Sequence, residues 1–125
     1  LAAAIDYLEF IGWKEITERE EMLTAQLLAG MKKIPGVHIL GSGDEKEHCG
    51  IVSFTVDDVH PHDIASILDE AHVAVRAGHH CAQPLLEWLG ISSCARASVA
   101  FYNTPEDVGR FLDQLAQVRR MMGYE

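Results

Sequence analysis

Residues 51–70, IVSFTVDDVHPHDIASILDE, contain the change of period that decides the fold. Ile51 to Val56 is rich in β-branched residues and alternates along its length, the pattern of a strand with one buried face. After Asp57 and Asp58 the spacing changes. Pro61 suits a first helical turn, and Ile64, Ile67, Leu68 and Ala71 then recur as a helical stripe.

Upstream of this stretch, residues 1–11 read as a helix closed by Gly12, and a longer helix covers 14–33. Ile16, Leu23, Leu27, Met31 and Ile34 place one apolar face on that second helix. Pro35-Gly36 stops it, and Val37–Leu40 is a short strand. GSGDEKEHCG follows as a turn-rich link whose acidic run reads as a solvated loop. Downstream, Val73–Val75 reads as a short strand and RAGHHCAQP, residues 76–84, as a loop. Leu85, Leu86 and Leu89 belong to a short helix ended by Gly90, and Cys94–Phe101 reads as another strand.

Thr104-Pro105-Glu106-Asp107 opens the last helix with a hydroxyl cap, a proline at the first position and acids at the positive end of the dipole. Val108, Phe111, Leu112, Leu115, Val118 and Met122 then share one face. The order of elements predicts a single α+β domain over residues 1–125, a small and mostly antiparallel sheet with helices packed on one side.

Composition narrows the function classes. With 125 residues the chain can bury a core without staples. A net charge of -9, from only ten scattered basic residues, argues against a nucleic-acid partner. No apolar run is long enough to span a membrane. Three cysteines at wide spacing, with no CxxC, favour free thiols in a reducing, cytoplasmic setting over a disulfide framework. The chain opens without Met in an apolar helical stretch, as expected of a cut through a longer polypeptide.

The loop Arg76-Ala77-Gly78-His79-His80-Cys81-Ala82-Gln83-Pro84 is the candidate reactive segment. A thiol attacks as its thiolate, and neighbouring cations or a helix N-terminus favour that form. Here one guanidinium and two imidazoles stand beside Cys81. The same cysteine could instead be a small apolar residue. His60, His62, His79, His80 and Cys81 are also zinc-ligand types, although their spacings match no structural zinc pattern. Arg96, inside a strand, is either a solvated arginine or a planar fork for a substrate carboxylate. His62 reads as a surface or capping residue, and Cys49 and Cys94 as structural.

At RAGHHCAQPL and again at ARASVAFYNT the sequence resembles the class V, fold-type I pyridoxal-phosphate enzymes. Within them it is similar to SufS-type (group II) cysteine desulfurases and their selenocysteine lyase relatives, over essentially the whole chain. The resemblance implies the C-terminal small domain of such an enzyme, with Cys81 as the catalytic cysteine. It implies that Arg96 binds the α-carboxylate of L-cysteine and that Arg76 helps position or activate the site. It gives His79 and His80 no separate step. His62 is implied as a contact to a zinc-containing, SufU-like acceptor, a SufE-like protein being the other acceptor type. The product would be a Cys81 persulfide used in iron–sulfur cluster or sulfur-carrier biosynthesis, with alanine released by a cytoplasmic homodimer.

In one respect the chain departs from the family. The lysine that carries pyridoxal 5'-phosphate belongs to a large domain absent here, and Lys14, Lys32, Lys33 and Lys46 lie in contexts unlike that site. The chain alone is therefore expected to bind no cofactor and to be inactive. Three other readings stay open: a selenocysteine lyase, a non-catalytic module that docks a sulfur acceptor, and a metal-binding domain.

Overall fold

The computed structural model describes residues 1–124. Eleven elements follow one another: α1 (Ala2–Ile11), α2 (Trp13–Met31), β1 (Val37–Leu40), a 3-10 turn at Glu45–Glu47, β2 (Ile51–Val56), α3 (Pro61–Glu70), β3 (Arg76–Gly78), α4 (Gln83–Trp88), β4 (Cys94–Ser98), α5 (Pro105–Leu115) and α6 (Val118–Met121). The strands form one sheet in the order β1-β2-β4-β3, antiparallel throughout. This is the predicted α+β class.

Alternation along β2 sends Val52, Phe54 and Val56 to one face, where Ala95 and Ala97 of β4 join them. That face is covered by Leu23, Leu27, Leu28 and Met31 of α2, Ile64 and Leu68 of α3, Val108, Phe111 and Leu115 of α5, and Val118 of α6. Phe54 meets Phe111 edge to face at 6.0 Å between ring centres. Neither α1 nor α4 contributes to this cluster, and α1 buries no residue at all. Gly12, at φ +101°, makes the corner between α1 and α2, a backbone region that suits glycine.

The structure corrects three boundaries. Residues 73–75 are not a paired strand. The ladder to β4 runs instead through Arg76↔Arg96, Ala77↔Ala95 and Gly78↔Cys94. Residues 73–75 make no ladder with residues 97–99, and the two segments help line a cleft of about 280 Å³. Apolar alternation signals extended chain but does not choose a partner. Second, β4 stops at Ser98, because Asn103 closes a turn in which its Oδ1 accepts from the Ala100 amide at 2.9 Å. Third, the final helix breaks at Ala116–Gln117, where the Gln117 amide bonds one residue short, to Gln114. Val118 nevertheless remains on the buried stripe. The helix opening at Thr104 is as read, with a complete capping box between Thr104 and Asp107.

Candidate active site

The face of the sheet opposite the core carries the alternate residues of each strand. Ser53 on β2 stands directly across from Arg96 on β4, and Arg96 directly across from Arg76 on β3. One row therefore holds a hydroxyl and two guanidinium groups on neighbouring strands. Like charges directly opposite each other destabilise a ladder. Among the described residues neither arginine has an acidic partner within ion-pair distance. The Nε of Arg96 is also buried without a hydrogen-bond partner. Such a row is able to receive an anion, since a planar guanidinium fits a carboxylate through two parallel bonds.

Beyond Arg76 the strand ends at Gly78, at φ +126°, and the chain reverses. The Ala82 amide donates to the His79 carbonyl at 2.9 Å across a four-residue turn. Its two central residues, His80 and Cys81, have φ +54° and +59°. Positive φ at both positions is the mark of a type I′ turn, normally filled by Asn and Gly. Two consecutive side-chain-bearing residues in this region each cost about 1–3 kcal/mol, and such strain gathers at functional sites. The turn leaves the Cys81 thiol exposed, two residues before α4.

The imidazole of His80 lies back against the sheet. Its Nε2–H donates to the carbonyl of Cys94 at 3.1 Å, and its Nδ1 is buried with no partner. Burial foremost keeps its pKa below the ordinary value of 6.5. The nearby charges of Arg96, Arg76 and His79 act in the same direction, against the bond to Cys94. The neutral ring is thus the favoured form. Cys94 itself is buried, and burial pushes its thiol up, partly offset by a bond with Ser53. It shares the sheet face of Arg96 but is covered there, and a buried thiol whose pKa is raised is a poor nucleophile.

Arg76, His79, His80, Cys81, Gln83, Pro84 and His62 line one open groove of about 590 Å³. Four of the sequence-predicted residues thus share a space with His62, which arrives from the first turn of α3. Arg96 adjoins them through its cross-strand pairing with Arg76. The ring of His62 stacks on that of His60 at 5.3 Å, and His60 caps α3 by accepting from the His62 amide. The cleft between residues 72–75 and 97–99 is lined by no thiol, whereas Cys81 lines the open groove. Among the described residues no three metal-ligating side chains converge on one point. None of the four lysines lines the groove.

Two contributors escaped the sequence reading. The ring of His80 binds the sheet instead of pointing at substrate space, and Ser53 extends the arginine row. The parity of Ser53 relative to Phe54 marks it for the open face. Nothing in the HHC triplet tells which imidazole turns inward.

Comparison with known proteins bears on the family and the fold. The model of the aminotransferase class-V family matches residues 1–111. A probable cysteine desulfurase of Staphylococcus aureus (strain COL) is 47% identical over all 125 residues, which span 30% of its length. The apo structure of a cysteine desulfurase from Thermococcus onnurineus NA1 superposes with a TM-score of 0.91 at 40% identity, over 96% of this chain and 30% of that one. The cysteine desulfurase CsdA of Escherichia coli, solved in an S-sulfonic acid form, gives 0.74 at 29% identity over 84% of this chain and 25% of its own. The chain thus spans about 30% of the curated relatives it matches. Its fold, its sequence and the match over residues 1–111 together make it a member of the aminotransferase class-V family.

Proposed function

We propose that this chain supplies the sulfur-accepting part of a cysteine desulfurase site. The observation that carries the reading is the placing of an exposed thiol, Cys81, on a strained turn near two guanidinium groups that have no acidic partner among the described residues. The arginine row fits an α-carboxylate, and the open groove leaves Cys81 reachable from solvent for a second protein.

In this reading Arg96, with Arg76 beside it, holds the carboxylate of L-cysteine so that the substrate sulfur faces Cys81. The Cys81 thiolate attacks that sulfur and an S–S bond forms. The substrate's Cβ–S bond breaks, its electron pair stays on carbon, and a proton taken up there completes L-alanine. Pyridoxal phosphate, the proposed cofactor of the whole protein, supplies the electron sink for bond changes at the substrate. This chain's groove offers no lysine to hold it, so its residues serve the substrate and the sulfur. The Cys81 persulfide then passes to an acceptor protein of the SufU- or SufE-like kind for iron–sulfur cluster or sulfur-carrier biosynthesis, with His62 at the groove's edge as a contact. We assign the intact enzyme to the cytoplasm as a homodimer.

The test is alanine and protein-bound persulfide formed from L-cysteine by the intact protein and its Cys81→Ser variant. Loss of both in the variant supports the assignment. Persulfide that persists without Cys81 overturns it. Selenocysteine turnover that survives in the variant, in an enzyme without cysteine activity, moves the reading to a selenocysteine lyase.

A further inference from the structure

The strained turn poses a question that the sulfur chemistry does not answer: what holds two successive side-chain-bearing residues at positive φ. The turn's only internal bond is that of Ala82 to His79. The sequence offers no Asn or Gly at its centre, where the conformation would be easily reached. The contact that can hold it comes from His80, whose ring crosses to the first residue of β4.

We propose that His80 is the positioning residue of Cys81: its Nε2–H, bonded to the Cys94 carbonyl, pins the type I′ turn to the central part of the sheet and so sets where the neighbouring thiol stands. The proposal deepens the desulfurase reading and rests on it for the consequence at Cys81. A carbonyl can only accept, so Nε2 must carry the proton. In the neutral ring that fixes the tautomer and leaves Nδ1 as the lone-pair nitrogen. That nitrogen is buried and unpartnered, and so makes no competing bond that would turn the ring out of place. The same β4 strand carries Arg96 two residues further on. A bond from the turn to β4 therefore couples the nucleophile to the strand that holds the carboxylate fork, fixing the distance between the two functions. His79, exposed and without such a bond, has no equivalent role.

Two variants separate this role from general damage. His80→Phe keeps a planar ring of similar size and removes the donor. His80→Gln restores an N–H donor of similar reach. Both are made in the intact protein. Amide hydrogen exchange at Ala82, measured without substrate, reads the turn directly, and the kcat and KM for L-cysteine read its consequence. The expected result for His80→Phe is exchange at Ala82 faster by about tenfold, the order of one hydrogen bond, with kcat lowered by at least as much and KM within about twofold. His80→Gln recovers most of both losses. A His80→Phe protein with wild-type Ala82 exchange and kcat overturns the proposal, as does a Gln variant no better than Phe. Should exchange respond as expected while the wild-type protein forms no persulfide, the latch stands and the desulfurase reading falls.

Discussion

Replacing Arg76 by Gln should strengthen the sheet and weaken substrate capture at once. Arg76 and Arg96 are directly opposed residues of an antiparallel pair, so their Cβ atoms lie about 5 Å apart. Two unit charges about 6 Å apart in water repel by about 0.7 kcal/mol, close to the upper end of the cost of like charges across a ladder. Arg76 is exposed, and screening brings the recoverable part to roughly 0.5 kcal/mol at low salt. Amides of β4 such as Ala95 and Ala97 should therefore exchange about twofold more slowly in the substrate-free variant, a gain that shrinks in about 0.5 M salt. A charge-assisted bond to a carboxylate contributes about 1.5–3 kcal/mol. Arg96 keeps its share, so the KM for L-cysteine should rise by about tenfold with a smaller change in kcat. A variant whose β4 amides exchange faster would show that Arg76 makes a stabilising contact instead. An unchanged KM would remove it from the substrate site.

Two further outcomes follow from the same structure. The pKa of His80 is held below its unfolded value of 6.5, so between the folded pKa and pH 6.5 the unfolded chain binds more protons than the folded one. Stability should rise with pH through that window and level off above it. Comparing urea midpoints of wild type and His80→Gln across it isolates the contribution, since the variant should lose that part of the slope. At the start of α5, Thr104→Ala removes the side chain that accepts from the Asp107 amide. Amides of the first turn should then open more easily by about 1 kcal/mol, read as roughly fivefold faster exchange.

Much of the fold was legible because its signals are local. The period change around Asp57 located β2 and α3, and the Thr104 box located the start of α5 to the residue. What failed was non-local. Val73 and Val75 alternate like a strand, yet the ladder forms at Arg76–Gly78, a segment rich in chemistry and poor in β-branched residues. Pairing is settled by what β4 presents, which propensity cannot see. The break at Gln117 has no proline or glycine to announce it. At the site, residue types alone drew attention to Cys81, Arg76 and Arg96. Their mutual placement came from register, and the inward turn of His80 from a backbone carbonyl fourteen positions away.

The sheet order has a consequence for how the protein is made. β1 with β2 and β3 with β4 are pairs of segments near each other in sequence, whereas the β2–β4 seam joins distant parts of the chain. Local pairs close early and distant ones late, because the longer loop must first be ordered. Arg76, Cys81 and Arg96 all fall within the β3–β4 unit. The spacing of these three residues can thus be set while the central seam is still open. Slow maturation would then show as delayed closure of the core over Phe54, and a nascent chain would present the Cys81 thiol before its hydrophobic interior is sealed.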